Sequence, residues 1–339
     1  MSTVIDGDEL REAAAMLRKG QLVAFPTETV YGLGANALMD SAVQSIFAAK
    51  GRPSDNPLIV HVSNLDSARI LVSRVPDIVE RLAERFWPGP LSIVLPIATN
   101  SGLSKFATAG LDCVGIRVPD HPVALQLLRE ANVPVAAPSA NKSGSPSPTT
   151  AAHVLNDFVD IKVLNGGSCR VGLESTVIKI TEGGKIRILR PGGISREQLE
   201  DLAGDSVEIG YLNKSLDHGS APEAPGMKYR HYAPKATVLP FESEEQLNRL
   251  ITEQPSTNKC VIIAFEDVSL GDPDLYRISL GSLNDVDEAS RRIFAALRTC
   301  DDLHANTAFI DVRFDKTCGA GVALWNRISK AAAGATDKL

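Results

Sequence analysis

The sequence predicts an α/β protein with one large mixed sheet followed by a smaller α/β domain. Short apolar runs alternate with segments of helical periodicity through residues 1–200. At 339 residues the chain exceeds what one core usually organises, since domains commonly hold about 100 to 200 residues. A stretch rich in Gly, Pro and Ser then precedes a second alternating region, so two domains are expected.

The first region contains enough strands for one large twisted mixed sheet. Apolar runs predict strands at 21–25, 57–62, 91–97, 114–118, 134–137, 175–180 and 185–189. Apolar residues at helical spacing predict helices at 41–50, 77–86, 122–130 and 149–158. In the first of these helices Val43, Ile46 and Phe47 share one face. We therefore expect residues 1–204 to form the first domain.

Periodicity stops after residue 204, and we expect residues 205–235 to be an interdomain linker. Alternation resumes afterwards, which predicts a Rossmann-like α/β domain over 236–339. Its expected strands lie at 236–240, 260–265 and 307–312, and its expected helices at 244–252, 286–300 and 320–330.

Composition excludes several classes of protein. The N-terminal residues lack the basic start and apolar run of a secretion signal, and no apolar stretch reaches the roughly 20 residues of a membrane span. The five cysteines are scattered without a CxxC pair, which argues against a disulfide framework and a zinc site. We therefore expect a cytoplasmic protein with reduced thiols.

The net charge of −6 is concentrated in the second half of the chain. Residues 1–200 hold 20 Lys/Arg and 20 Asp/Glu, which leaves 15 against 21 of the totals of 35 and 41. A protein whose main task is to grip an RNA backbone is usually basic, because phosphate neutralisation dominates that affinity. A local basic pocket is still compatible with these numbers.

The segment FPTETVYGLGANA, residues 25–37, is the first unusual one. Three hydroxyl residues and a carboxylate follow the end of a strand, and we expect the chain then to turn at the two glycines. Because ligands of open α/β sheets bind at the carboxyl ends of strands, Thr27, Thr29 and Tyr31 are placed to meet a small polar molecule. A plain strand-to-helix turn fits the same residues.

A second segment, KGRPSDNPLIVHV, places two cations at the end of a predicted helix. Lys50 and Arg52 precede a Pro-rich turn that carries Asn56, and His61 lies in the strand that follows. The two cations can flank the phosphates of a nucleotide, but cations at a helix C-terminus also offset the helix dipole. A lone histidine in an apolar strand is more often a core residue than a ligand.

The third segment, PVAAPSANKSGSPSPTTAAHV, ends a strand in a polar loop with Ser139, Asn141 and Ser147, before a helix cap at Thr149 or Thr150. Hydroxyl groups and exposed backbone N–H groups suit phosphate oxygens, although flexible surface loops have a similar composition. The conjunction of the three segments favours a ligand site.

No phosphate-binding P-loop of the form GxxxxGK[ST] exists in the sequence, so ATP would have to be held in another way. GLGANA satisfies the loose dinucleotide pattern GxGxxA, but six residues separate Phe25 from Gly32 where a Rossmann loop should follow its strand directly. A nicotinamide-dependent oxidoreductase is therefore a remote alternative.

These residues resemble the threonylcarbamoyl-adenylate synthase family, built on the YrdC-like domain, in its long two-domain form. PTETVYGLG, KGRP with NPL, FWPGPLS, GIRVP, PSAN with SG and SPT, GLESTV and LRPG occur in the order of that family. MKYRHYAP resembles the linker motif of the long form. The resemblance covers nearly the whole chain, and the C-terminal domain matches by position and α/β pattern more than by motif.

The resemblance implies an ATP-using nucleotidyltransferase that converts L-threonine, bicarbonate and ATP into threonylcarbamoyl-AMP, diphosphate and water. The product serves N6-threonylcarbamoyladenosine modification at position 37 of tRNA. Mg²⁺ is expected to accompany ATP through its phosphates rather than through a protein-made metal site. A downstream tRNA threonylcarbamoyl transferase is the implied partner, and weak direct contact with tRNA is left open.

The resemblance also implies the site residues by motif position. The expected catalytic residues are Lys50, Arg52, Ser139 and Asn141. The expected ATP contacts are Arg52, Asn56, Cys113 through its backbone, Ser139, Ser147, Arg190 and Tyr232. The expected threonine contacts are Thr29, His61, Arg117, Ala137 and Ser175. Arg117 suits the carboxylate of threonine, because a guanidinium matches a carboxylate in bidentate fashion. The role of Glu174 is left open.

The linker cluster 228–232 is similar to a flap that returns over the nucleotide and excludes water. An RNA-binding or ribosome-maturation module is the main alternative function, because the same residues could serve phosphates of either kind. The balanced charge of the first 200 residues weakens that alternative.

Overall fold

The computed structural model describes residues 6–211, 222, 231–267 and 275–333, and these fall into two compact units. The first unit comprises the described residues of 1–143, 148–170 and 174–228. The second comprises those of 144–147, 171–173 and 229–339. The predicted domain boundaries at 204 and 236 stay predictions.

The first unit is a mixed α/β structure. Its helices are α1 (Gly7–Arg18), α2 (Asp40–Lys50), α3 (Leu65–Arg69), α4 (Asp77–Phe86), α5 (Pro122–Ala131), α6 (Ala151–Asp157) and α7 (Arg196–Ala203). Its strands are β1 (Val23–Phe25), β2 (Gly32–Asn36), β3 (Ile59–His61), β4 (Leu91–Pro96), β5 (Cys113–Arg117), β6 (Val135–Ala136), β7 (Lys162–Val163), β8 (Thr176–Ile180), β9 (Ile186–Arg190) and β10 (Val207–Ile209).

The ten strands form one sheet in the order β10-β9-β8-β4-β5-β3-β6-β2-β1-β7. The sheet contains parallel pairs such as β3 with β5 and antiparallel pairs such as β4 with β5, so it is mixed as predicted. Helix α4 shows how the helices attach to it, because its buried Val79, Leu82, Ala83 and Phe86 recur at helical spacing. The core clusters run along the sheet through its buried Val, Ile and Leu side chains.

The prediction of a turn at Gly32 and Gly34 is wrong. Both residues lie in β2, which pairs antiparallel with β1 and β6. A Cβ on Gly34 would come within 2.8 Å of the Phe25 ring and 2.9 Å of a Val135 methyl. These glycines allow close strand packing rather than a change of direction. The GxGxxA match therefore falls on a strand, not on a nucleotide-binding loop.

The second unit contains a parallel four-stranded sheet in the order β11-β14-β12-β13. Its strands are β11 (Thr237–Phe241), β12 (Cys260–Ala264), β13 (Tyr276–Ser279) and β14 (Thr307–Asp311). Its helices are α8 (Glu244–Thr252), α9 (Val286–Asp302) and α10 (Gly319–Ala332). This arrangement confirms the predicted small Rossmann-like α/β fold.

The predicted elements lie within two residues of their observed bounds. The elements that were not predicted are α1, α3, α7, β2, β7, β10 and β13. Strand β10 lies inside the predicted linker, where it pairs in parallel with β9. Its three residues are too few to show a period of their own. No helix in the described part of the chain is both long and apolar enough to cross a membrane.

Candidate active site

Backbone hydrogen bonds join the first and third motif segments side by side. The amide of Tyr31 donates to the carbonyl of Pro148 at 2.9 Å, and that of Leu33 to Pro138 at 2.8 Å. In return the amide of Ala140 donates to the carbonyl of Tyr31 at 2.8 Å. The loop after β1 and the loop after β6 are thus held together by the backbone of the protein itself.

Lys50 brings three of the four expected catalytic residues together. Its buried Nζ donates to the carbonyl oxygens of Ser139 and Asn141, each at 2.5 Å. Helix α2 ends at Lys50 because Gly51 adopts the left-handed conformation, with φ 63°. The amide of Ser143 closes the arrangement by donating to the Lys50 carbonyl at 2.9 Å. A buried ammonium is thereby fixed against the loop that follows β6.

Arg52 is fixed on the turn that follows α2. Its Nη2 donates to the carbonyl of Pro57 at 3.1 Å, and its Nε and Nη2 approach the carbonyl of Asn56 at 3.4 Å. The Asn56 side chain is 1% exposed, and neither its Oδ1 nor its Nδ2 has a hydrogen-bond partner among the described residues. A buried amide without partners is costly. A ligand that supplied those partners would remove the cost.

His61 and Arg117 lie side by side, because β3 and β5 pair in parallel with these residues in register. Burial, and then the Arg117 charge, lower the pKa of His61 to about 3, so the imidazole is neutral at physiological pH. Its ring meets Phe25 edge-on with centroids 6.0 Å apart. His61 Nδ1 has no hydrogen-bond partner in the described part of the chain.

The Arg117 guanidinium is held from two sides. Its Nε donates to the carbonyl of Gly89 at 3.2 Å, and its Nη2 lies 2.7 Å from Oε1 of Glu28. The side chains of Arg117 and Glu28 are 5% and 0% exposed, so the pair is fully buried. Glu28 was not among the expected site residues. The only signal in the sequence was one carboxylate among the hydroxyl residues of PTETVYGLG.

Two further residues that were expected to contact the substrate threonine, Thr29 and Ala137, are also buried. The Thr29 hydroxyl lies 2.8 Å from that of Thr27, which in turn donates to the carbonyl of Val30 at 2.6 Å. Ala137, also buried, follows β6 and offers only a methyl group. An apolar group of that size suits the methyl group of a small amino acid.

The Tyr31 hydroxyl is hydrogen-bonded within the first unit. Its hydroxyl donates to the carbonyl of Gly167 at 2.7 Å and accepts from the amide of Gly166 at 3.2 Å. Burial raises its pKa to about 12. These contacts fix the position of the side chain, and the expectation that Tyr31 meets a small polar molecule stays a prediction.

Ser175 and Arg190 contact each other although they were expected to serve different ligands. Arg190 Nη2 donates to the carbonyl of Ser175 at 2.9 Å and to its Oγ at 3.2 Å. The Ser175 hydroxyl also lies 2.8 Å from that of Ser92. Cys113 begins β5 and packs against Val94, in the small cluster that also holds Val177 and Leu189.

Ser147 and Tyr232 belong to the second unit. The loop that carries Ser147 is hydrogen-bonded within that unit, because Arg298 Nη2 donates to the Pro146 carbonyl at 2.7 Å. The Tyr232 ring lies 5.4 Å from the Phe294 ring and under the Arg327 guanidinium. Residues 228–230 of the expected flap lie outside the described residues.

The described residues contain no group of three or more His, Cys, Asp or Glu side chains that could hold a metal ion. A divalent cation that arrives with a nucleotide would therefore be held mainly by phosphate oxygens. That expectation stays a prediction.

Buried cations set among hydroxyl and amide groups on a mixed sheet define an α/β enzyme site for small anionic molecules. A family model described as "Telomere recombination" matches residues 15–192, and one described as "Threonylcarbamoyl-AMP synthase, C-terminal domain" matches residues 194–333. The chain belongs to the threonylcarbamoyl-AMP synthase family, in its two-domain form.

Similar proteins extend over nearly the full chain. A threonylcarbamoyl-AMP synthase of Pyrococcus abyssi is 43% identical over 331 residues, which are 95% of this chain and 94% of the relative. One of Bacillus subtilis is 42% identical, covering 96% of this chain and 93% of the relative. The crystal structure of P. abyssi Sua5 complexed with L-threonine is 41% identical, with a TM-score of 0.86, over 97% of this chain and 95% of that one. These findings confirm the predicted family, fold class and activity, which is that of an ATP-using nucleotidyltransferase.

Proposed function

We propose that the first unit holds L-threonine, bicarbonate and ATP together and forms threonylcarbamoyl-AMP, diphosphate and water. The amine of threonine attacks bicarbonate and water leaves, which gives a carbamate. A carbamate oxygen then attacks the α-phosphorus of ATP and diphosphate leaves. The observation that carries the proposal is the convergence of Lys50 on the loop of Ser139 and Asn141.

We propose that Lys50 and Arg52 act by stabilising charge and by positioning the substrates. Lys50 is a buried cation fixed by two carbonyl oxygens, and Arg52 is fixed by the turn beside it. Preorganised cations of this kind stabilise the charge that builds up as the α-phosphorus is attacked. The order of chemical steps needs no covalent enzyme intermediate, so a nucleophile with a paired base is not required.

The threonine subsite is proposed to consist of buried side chains on β3 and β5, in the loop after β1, directly after β6 and directly before β8. Arg117 binds the carboxylate, and the neutral His61 accepts or donates one hydrogen bond without adding charge. The proposed members are Thr29, His61, Arg117, Ala137 and Ser175.

The nucleotide subsite of the first unit is proposed to use Arg52, Asn56, the backbone at Cys113, Ser139 and Arg190. The expected ATP contacts of Ser147 and Tyr232 stay predictions. Asn56 is the member with the clearest structural argument, because its buried amide lacks partners among the described residues. An adenine or ribose group can both donate to it and accept from it. Mg²⁺ is proposed to enter with ATP, bound through the phosphates.

A cytosolic location, a downstream tRNA threonylcarbamoyl transferase as partner, and weak contact with tRNA complete the proposal. The RNA-binding alternative gains no support from Lys50, Arg117 and Arg190, which are only 3–6% exposed, because an RNA backbone is gripped by exposed basic side chains.

The test is diphosphate release by the purified full chain with Mg²⁺ and ATP. We expect release to require both threonine and bicarbonate and to fall with serine in place of threonine, since serine lacks the methyl group that Ala137 would meet. Release that does not depend on threonine, from protein that is folded and binds ATP, would contradict the proposal. Salt-sensitive RNA binding in that case would favour the alternative.

A further inference from the structure

Glu28 is a buried carboxylate beside Arg117, and the reaction as proposed gives it no task. Its side chain is 0% exposed, and its Oε1 lies 2.7 Å from Nη2 of Arg117. Neither carboxylate oxygen makes a well-directed hydrogen bond to another described residue. A buried carboxylate in that situation is stable only next to a cation, and Arg117 is the cation that it meets.

Two contacts fix the plane of the Arg117 guanidinium. Nε donates to the Gly89 carbonyl at 3.2 Å, and Nη2 faces Glu28. A guanidinium has five N–H groups, and no hydrogen bond among the described residues engages Nη1. The edge that contains Nη1 is therefore the one available to an incoming carboxylate.

We propose that Glu28 is a positioning residue for substrate recognition, which holds Arg117 so that its remaining edge meets the carboxylate of an α-amino acid. This inference rests on the proposed function, in which Arg117 binds the carboxylate of threonine. Burial lowers the pKa values of His61 and His121 and keeps both imidazoles neutral, so neither histidine offers Glu28 a second positive charge. Glu28 therefore holds the Arg117 guanidinium in place before the carboxylate of the substrate binds to it.

The first variant is Glu28→Gln, which keeps the side-chain volume and removes the charge. We expect the KM for threonine to rise by about tenfold or more, the order expected for one hydrogen bond between charged groups. The KM for ATP is expected to stay within about twofold, which a general loss of structure would not allow. Glu28→Asp, which keeps the charge, is expected to recover part of the loss. An unchanged or lowered KM for threonine in Glu28→Gln would overturn the proposal.

A double-mutant cycle tests whether Glu28 acts through Arg117. In a chain that carries Arg117→Gln, the further change Glu28→Gln is expected to alter threonine affinity by less than about threefold, since the group it positions is gone. Equal effects in both backgrounds would mean that Glu28 acts in some other way, and the proposal would be wrong.

Hydrogen exchange of the Arg117 Nε–H in the ligand-free chain separates this proposal from the proposed function. We expect slow exchange in the wild type and faster exchange in Glu28→Gln, whatever the chain catalyses. If the wild type shows no threonine-dependent turnover but this difference is present, the proposed function fails and the positioning of Arg117 stands. If turnover is normal and the exchange rates are equal, the positioning proposal alone fails.

Discussion

Lys50 and Arg117 are two buried cations of the same unit, and their surroundings differ. Lys50 Nζ meets the carbonyl oxygens of Ser139 and Asn141, whereas Arg117 meets one carbonyl oxygen and the carboxylate of Glu28. Carbonyl dipoles solvate a cation without cancelling its charge, but a carboxylate at 2.7 Å cancels most of it. The first arrangement suits phosphate chemistry, and the second suits the recognition of one carboxylate by shape.

The largest effect is expected at Lys50. Lys50→Ala should lower kcat/KM for diphosphate release by roughly 10² to 10³, the loss typical of one preorganised group that stabilises the transition state. Lys142→Ala is the matched control, because Lys142 is an exposed lysine of the same loop. It should retain activity within about threefold. Similar losses in the two variants would mean that the positive charge of the loop region matters in general, and not the fixed and buried position of Lys50.

A smaller and more selective effect is expected at Arg117. Arg117→Lys keeps the charge beside Glu28 but loses the planar fork, so the KM for threonine should rise by about tenfold. The KM for ATP should change less than about twofold. Steady-state kinetics with each substrate varied in turn measures both values. A rise in the KM for ATP instead would mean that Arg117 is a phosphate contact, and the contrast with Lys50 would no longer hold.

Asn56 offers a test in which stability and binding move in opposite directions. Asn56→Leu removes a buried amide that has no partners among the described residues, so the free energy of unfolding without ligand should rise by about 1 kcal/mol. Affinity for ATP should fall at the same time. Chemical denaturation and calorimetric titration of ATP give the two values. Asn56→Asp is the control, which should weaken ATP binding without the gain in stability.

The sequence predicts those parts of the site that depend on residues close together in the chain, but not the contacts between residues far apart in it. The ends of α2 and α4 followed from local periodicity, and Lys50 and Arg52 from their place at a helix end. The pairing of Glu28 with Arg117 could not be predicted, because it joins residues 89 positions apart through sheet order. The same holds for Gly34, whose role depends on the distant Val135.

His61 predicts a pH dependence of stability rather than of catalysis. Its pKa is about 6.5 in an unfolded chain and about 3 in the folded one, because of burial and the Arg117 charge. Between pH 6.5 and 3 the unfolded chain therefore binds a proton that the folded one does not. The free energy of unfolding should fall as the pH is lowered through this window, by at most about 1.4 kcal/mol per pH unit.

Denaturation at several pH values compares the wild type with His61→Gln, which should show a flatter dependence in that window. The control is His304→Asn, at an exposed histidine with φ 53°, a conformation that asparagine tolerates. It should follow the wild type. Equal slopes for all three proteins would mean that His61 titrates normally in the fold and adds charge beside Arg117, which would weaken the contrast between the two cations.

The smallest effect is expected at Cys113, which the proposal uses only through its backbone. Its side chain packs against Val94, Val177 and Leu189 and is only half-buried. Cys113→Ser should therefore change kcat/KM by less than about twofold, because the hydroxyl fits the same volume and the strand hydrogen bonds do not involve the side chain. A loss as large as that of Lys50→Ala would place essential chemistry on a thiol. The two fixed cations would then no longer explain the reaction.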